Sequence, residues 1–265
     1  MTIGANIKRL RQNKGLTQEQ LGEVLNISGQ AVSKWENKSA LPDILILPKL
    51  ADYFGISIDE LMGYKLNAFT YKERFVRFML GNGILQLGEF KLKNGQTKEY
   101  YLNTEKFTTN AQIAKIGEYF ADCIRENGLE FDVIMGLAYH GIAFSTATAC
   151  ALFNKYGVTV DYCYDRKVAD SKGRILCGHS LADGEKVVIV DDLMSTGLTI
   201  CERIERLKAV ADIEVVAVVV IADLTNAEAR AQGLGARMLE EKYGAKVISI
   251  ITEKDVRNVL DKWNG

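Results

Sequence analysis

Histidine and proline are scarce in this chain, at two residues each, and net charge is nearly absent, at −1 over 265 residues. The two histidines, His140 and His179, stand far apart. The five cysteines, Cys123, Cys150, Cys163, Cys177 and Cys201, never form a Cys-x-x-Cys pair. That spacing excludes a structural zinc site and predicts reduced, mostly buried thiols. The charge balance gives no whole-protein pull toward nucleic acid or a membrane surface. No apolar run approaches the ~20 residues of a membrane span, and no leader pattern opens the chain. A cytoplasmic protein without a membrane partner is expected. Internal repeats and low-complexity tracts are absent too.

What is present suits folded domains. The chain is 48% hydrophobic and 25% charged, and its length suits about two domains. Residues 1–65 read as short helices. Ile3, Ile7 and Leu10 form one apolar stripe, Leu21, Val24 and Leu25 a second, and Leu47, Leu50, Ala51 and Phe54 a third. Thr17 and Gln20 are spaced as a capping box. Both prolines, Pro42 and Pro48, lie here. Residues 66–265 have a different grammar. Buried strands are predicted at 131–137, 158–162, 187–190, 215–222 and 247–251. Helices are predicted near 110–126, 142–155, 199–210 and 227–242. Such alternation predicts an α/β domain with a five-stranded, mostly parallel sheet. The joint at 63–67 is short and not Gly/Ser-rich, so the two domains should be held close.

The run Val187-Val188-Ile189-Val190-Asp191-Asp192-Leu193-Met194-Ser195-Thr196-Gly197-Leu198-Thr199 is the most informative stretch. It reads as a buried strand, an acidic pair at a loop edge, a small-residue loop and a helix start. Backbone N–H groups of such a loop and the helix N-terminus can hold a phosphate. The acidic pair can accept hydrogen bonds from vicinal ribose hydroxyls. The run resembles the phosphoribosyl-pyrophosphate (PRPP) signature of type I phosphoribosyltransferases. That resemblance implies a Rossmann-like domain with a small hood. It places Asp191 and Asp192 at the ribose and Ser195, Thr196, Gly197 and Thr199 around the 5′-phosphate.

The N-terminal stretches Gly15-Leu16-Thr17-Gln18-Glu19 and Val32-Ser33-Lys34-Trp35-Glu36 carry a second resemblance. Together with Leu25-Asn26-Ile27-Ser28 and the tail 50–61, they resemble the Cro/repressor-type (XRE) helix-turn-helix family over residues 3–62. An all-α DNA-binding domain is therefore expected at 1–65. The helix opening at Ser28 would enter the major groove of double-stranded DNA and present Gln30, Ser33 and Lys34. Amide side chains can bond adenine edges bidentately, and lysine reaches guanine or phosphate. Gln18 is placed for a backbone phosphate, and Trp35 for the core. Residues 1–65 carry eight Lys/Arg against seven Asp/Glu. One such reader neutralises few phosphates, so paired readers on two half-sites are expected.

Further motifs narrow the second domain. Phe90-Lys91-Leu92-Lys93-Asn94-Gly95 precedes Tyr100-Tyr101-Leu102-Asn103, then Gly136-Leu137-Ala138-Tyr139-His140-Gly141, then Tyr164-Asp165-Arg166-Lys167. With the Asp191-Asp192 loop and Val247-Ile248-Ser249-Ile250-Ile251-Thr252, they resemble bacterial orotate phosphoribosyltransferases over about 70–262. Those enzymes make orotidine monophosphate (OMP) from orotate, PRPP and Mg²⁺. The resemblance implies that Lys93 and the pair Tyr100 and Tyr101 stand at the nucleotide and base. It puts Tyr139 and His140 in the pyrophosphate loop. Arg166 and Lys167 reach pyrophosphate, usually in the partner subunit of a homodimer. Mg²⁺ comes with PRPP, near Asp191 and Asp192, with no site made by protein alone.

Three departures bear on activity. Asp170 stands where the family's mobile loop carries a lysine, and Lys172 stands where it carries a histidine. His140 replaces the pyrophosphate-loop lysine. Leu224 and Thr225 follow Asp223 where an arginine should clamp the orotate carboxylate. Pyrophosphate leaving builds negative charge that preorganised cations stabilise, so Asp170 reverses a needed charge. A shifted alignment lets Lys172 or Arg174 supply it, which leaves Lys172, Arg174 and Asp191 as the candidate catalytic residues. Three functions fit. The first is a transcription regulator whose transferase-like domain binds PRPP or a pyrimidine nucleotide. The second is an active orotate phosphoribosyltransferase that carries a DNA reader. The third is a transferase acting on another base.

Overall fold

The computed structural model describes residues 3–63, 70–91 and 97–263. The chain divides into two compact units, 1–70 and 71–265. The sequence places the division at 65. It falls instead just before a helix that opens at Tyr71. Beyond Gly63, the expected joint lies outside the described residues.

The first unit has five helices, α1 (Ile3–Asn13), α2 (Gln18–Leu25), α3 (Gly29–Glu36), α4 (Leu47–Phe54) and α5 (Ile58–Leu61). The Thr17/Gln20 capping box is formed at the start of α2. Ser28 caps α3 by accepting from Ala31 N–H at 3.2 Å. Helices α2 and α3 approach closely at Gly22, where a Cβ would meet the Ile27 carbonyl oxygen at 2.8 Å. Any larger residue would push them apart. Ile7, Leu21, Leu25, Val32, Trp35, Leu50 and Leu61 make the core.

One buried ion pair ties the unit together. Arg11 Nε and Nη2 donate to Glu36 Oε1 and Oε2 at 2.6 and 2.9 Å. The two side chains are only 10% and 3% exposed. Burial works against charge on Glu36, but the bonds from Arg11 and Gln18 outweigh it and hold the carboxyl below the usual carboxylate range.

The second unit opens with α6 (Tyr71–Gly81) and the hairpin β1 (Leu85–Lys91) and β2 (Thr97–Leu102). Then come α7 (Asn110–Glu126), β3 (Val133–Gly136), α8 (His140–Tyr156), β4 (Asp161–Asp165), β5 (Leu176–Gly178) and β6 (Lys186–Met194). The rest is α9 (Leu198–Lys208), β7 (Glu214–Asp223), α10 (Ala227–Ala231), α11 (Ala236–Tyr243), β8 (Lys246–Ser249) and α12 (Glu253–Trp263). The sheet order is β5-β4-β3-β6-β7-β8. All its pairings are parallel except β4 with β5.

The strands alternate between two helix layers, as period two requires. Ile134, Val188, Val190 and Val219 join the core of α6, α7, α8 and α12. Val133, Met135, Val187, Ile189 and Val218 join that of α9 and α11. The chain turns from β3 to one side of the sheet and from β6 to the other. Ligands in open α/β sheets bind at that switch point, beyond the carboxyl ends of the strands.

Three expectations need correction. The sheet has a sixth strand, β5, whose three residues are too few to show a period. The strand expected at 158–162 is shifted to Asp161–Asp165. The helix expected at 227–242 is two, broken where Gly233 and Gly235 take φ of 76° and 88°.

Candidate functional site

The acidic pair lies inside β6, not after it. Asp191 sits opposite Val220 of β7, and the strand runs on to Met194. The loop-edge placement expected for both acids is thus corrected. Asp191 Oδ1 accepts from Asp192 N–H at 3.0 Å. Burial, then the neighbouring Asp192 charge, pushes the Asp191 carboxyl up to about 7. Asp192 is better matched. Its Oδ2 takes the Thr104 hydroxyl at 2.8 Å and contacts His140 Nδ1 at 2.9 Å, while Oδ1 takes Leu193 N–H at 2.8 Å.

The loop after β6 is held by its backbone. Ser195 O accepts from the Thr225 hydroxyl, and Thr196 O accepts from Gly235 N–H at 2.8 Å. Gly197 caps α9 with φ of 77°, a conformation that favours glycine. Gly197 has no side chain to cap α9; Leu198 N–H donates to the Thr196 hydroxyl at 3.5 Å, which leaves the N–H of Thr199 for an anion. Ser195, Thr196 and Gly197 therefore share the loop after β6, the strand that carries Asp191 and Asp192, and Thr199 follows in the first turn of α9.

The loop after β3 faces this cradle. A Cβ on Gly141 would lie 2.5 Å from the Val190 carbonyl oxygen and 3.4 Å from Asp191 Oδ1. His140 is tied to Asp192, and its Nε2 lies 3.7 Å from Glu105 Oε2. Asp165 accepts from Ala138 N–H at 2.6 Å and stands 3.1 Å from Arg203 Nη1, an ion pair off hydrogen-bond geometry. Tyr139 is 70% exposed, with Lys167 Nζ 4.2 Å above its ring. The buried Nε of Arg166 has no hydrogen-bond partner among the described residues. Tyr139, Arg166 and Lys167 share a pocket of about 300 Å³.

The loop expected to be mobile is closed by Asp170. Its Oδ1 accepts from the N–H groups of Lys172 and Arg174, both at 2.9 Å, and its Oδ2 accepts from Arg174 Nε at 2.8 Å. These bonds, led by the Arg174 N–H, hold the Asp170 carboxyl below its ordinary value. Arg174 is thereby committed, whereas Lys172 makes no side-chain bond among the described residues.

A larger cleft of about 620 Å³ opens past the ends of β7 and β8. Tyr100, Thr225, Ser249 and Lys254 line it, together with Arg230, which the sequence reading missed. Nothing in the residue spacing marked Arg230, because it sits on a five-residue helix after a loop. Adjacent strand residues face opposite ways, so Tyr100 and Tyr101 part. Tyr100 enters the cleft, while Tyr101 is 46% exposed and packs against Phe90 at 5.6 Å. Lys93 lies outside the described residues.

In the first unit, Gln30 and Lys34 are exposed and Ser33 is half-buried. Their spacing on α3 puts them on one face. Ser28 spends its hydroxyl on the helix cap. Gln18 Nε2 donates to Glu36 Oε2 at 2.8 Å, leaving its backbone N–H at the start of α2 for a phosphate.

A strand-borne acidic pair, a helix that starts on Gly197 and a facing turn after the neighbouring strand define a phosphoribosyltransferase domain, here in one chain with a helix-turn-helix. Family models agree: a helix-turn-helix model matches residues 7–61 and a phosphoribosyl transferase domain model matches 103–254. The chain is 38% identical over 191 residues to the orotate phosphoribosyltransferase of Lachnoclostridium phytofermentans, covering 70% of this chain and 84% of that one. It is 35% identical over 194 residues to the Escherichia coli enzyme, covering 72% and 89%. The chain belongs to the orotate phosphoribosyltransferase family. Its fold is similar to that of the Francisella tularensis enzyme, with a TM-score of 0.57 at 24% identity over 72% of this chain and 98% of that one. Leishmania donovani UMP synthase is similar at a TM-score of 0.54 and 26% identity, over 78% of this chain and 42% of that one.

Proposed function

We propose that this chain is a DNA-binding transcriptional regulator whose orotate phosphoribosyltransferase-like unit binds PRPP or a pyrimidine nucleotide. One observation supports the reading: the loop after Asp191 and Asp192 is held through Ser195 O, while the 168–175 loop is closed on Asp170. Asp191 and Asp192 accept the ribose hydroxyls. Backbone N–H groups from Ser195 to Thr199 hold the 5′-phosphate. Lys167, with the unpartnered Nε of Arg166, offers charge to pyrophosphate. Mg²⁺ enters with PRPP and offsets pyrophosphate charge. The crowded Asp191–Asp192 pair suits such an ion, since a divalent cation relieves like-charge repulsion.

The reader acts as a two-fold dimer through the second unit, because one helix-turn-helix carries too little positive charge to hold DNA alone. Gln30, Ser33 and Lys34 read base edges, and Gln18 and Ser28 lie against the backbone. The protein works in the cytoplasm, where its target DNA and nucleotide ligands are. Light scattering at micromolar concentration tests the dimer, and a monomer with PRPP present counts against it.

The runner-up is an active orotate phosphoribosyltransferase that also binds DNA, favoured by the 38% identity to a relative of that name. One assay separates the two: purified protein with PRPP, Mg²⁺ and orotate, following orotate loss. Binding of PRPP with negligible turnover supports the regulator. Turnover at ordinary enzyme rates, about 1–1000 per second, overturns it.

A further inference from the structure

Helix α9 starts at the phosphate loop, and its later turns carry Arg203 and Arg206, three residues apart and so on one face. Both meet the end of β4. Arg203 Nη1 stands 3.1 Å from Asp165 Oδ2, and the two side chains are only 10% and 4% exposed. Arg206 donates Nη2 to Arg166 O at 3.3 Å and Nη1 to Lys167 O at 3.5 Å. The run Asp165-Arg166-Lys167 is therefore held from α9 at each of its residues.

Asp165 passes that hold to a second segment. Its Oδ1 accepts from Ala138 N–H at 2.6 Å, in the turn that leads to Tyr139 and His140. A carboxylate this deeply buried keeps its charge only beside a cation. Arg203 is its one ion-pair partner among the described residues. The Asp165 charge reaches the ribose acids too, since it adds to the rise of the Asp191 carboxyl. Arg206 takes main-chain carbonyls, which leaves the Lys167 side chain over the Tyr139 ring and Arg166 in the same pocket.

We propose that Arg203 and Arg206 are positioning residues for the pyrophosphate end of PRPP. They fix both segments that meet pyrophosphate to the helix whose first turn meets the 5′-phosphate. Neither touches the ligand; they set the spacing between its two ends. This assignment rests on the cradle reading of the proposed function.

The test compares PRPP with ribose 5-phosphate, which lacks the pyrophosphate. Calorimetry on the full chain with Mg²⁺ measures both. The wild type should bind PRPP more tightly. Arg206→Met keeps the stem and loses both donors. It should weaken PRPP roughly tenfold, the scale of one or two hydrogen bonds, and leave ribose 5-phosphate within about twofold. The double variant Asp165→Asn with Arg203→Met removes the ion pair, buries no lone charge and keeps an acceptor for Ala138 N–H. It should show the same selective loss. An unchanged ratio of the two affinities in both variants overturns the proposal. So does an equal fall for both ligands, which would make the arginines a brace of the fold alone. If the double variant fails to fold, Arg206→Met decides. A wild type that binds both ligands equally sinks the positioning role and spares the cradle. A wild type that binds neither sinks the cradle reading, and this assignment with it.

Discussion

Glu36 and Asp191 are carboxylates held inside separate units, and their surroundings push them in opposite directions. Glu36 meets a guanidinium on both oxygens, and Gln18 adds a third bond. Asp191 meets the charge of Asp192 and a single backbone N–H. The matched acid closes a scaffold. The mismatched acid marks a place where something from outside must supply the missing charge or hydroxyls. The two also respond oppositely to pH. Glu36 has a depressed carboxyl, so its stabilisation is present above the unfolded carboxylate range and lost as pH falls through the folded value. Asp191 has a raised carboxyl, so stability declines as pH climbs from its unfolded range, near 4, to about 7.

Breaking the matched pair should have the largest effect. Glu36→Ala leaves Arg11 buried without its partner, which costs ~3–5 kcal/mol. For a unit this small, that approaches its whole stability and should abolish DNA binding. Urea denaturation followed by Trp35 fluorescence measures it, and a loss below about 1 kcal/mol would mean the pair does not hold the unit. Relieving the mismatched acid should act the other way. Asp191→Asn removes a buried like-charge conflict and should add roughly 2–4 kcal/mol at pH 8, with the gain gone at pH 4. The same variant should bind PRPP more weakly. A variant that is less stable at pH 8 would show that Asp191 does not carry this strain.

A smaller effect lies on the recognition face, where no charge is buried. Gln30→Ala should cost ~1–3 kcal/mol of discrimination at one base position. Lys34→Ala should weaken all sites alike if it meets phosphate. An operator array insensitive to both changes would remove the reader role from α3.

What the sequence made legible follows from the same contrast. The β-branched runs around Val187–Val190 and Val215–Ala222 announced buried parallel strands, because burial on both faces demands them. Thr17, Gln20 and Ser28 announced helix starts, because caps use local bonds. Strand β5 stayed hidden at three residues, and the break at Gly233 and Gly235 was masked by an even helical pattern. Local motifs could place Asp191 beside Asp192 but not the burial that raises its carboxyl. Arg230 needed the fold to bring it into the cleft with Tyr100. Asp170 was visible only as a charge of the wrong sign, since its bonds depend on the shape of the turn.

Asp170 sharpens the comparison because it is a half-buried acid on a turn that is nonetheless matched. By charge alone, Asp170→Lys should restore a missing cation and raise any basal transferase rate. The structure changes that expectation, because lysine removes the acceptor of two N–H groups and the partner of Arg174. The turn should open, and orotate turnover should stay low. Asp170→Asn is the finer probe. Its carbonyl oxygen can still take both backbone N–H groups, while the ion pair to Arg174 is lost. Arg174 is then free to meet pyrophosphate, and PRPP affinity should rise by at most about fivefold, the scale of an exposed ion pair. Calorimetry with PRPP and Mg²⁺ measures the affinity, and orotate loss measures the rate. If Asp170→Lys turns over orotate much faster than both wild type and Asp170→Asn, charge rather than the closed turn limits this site.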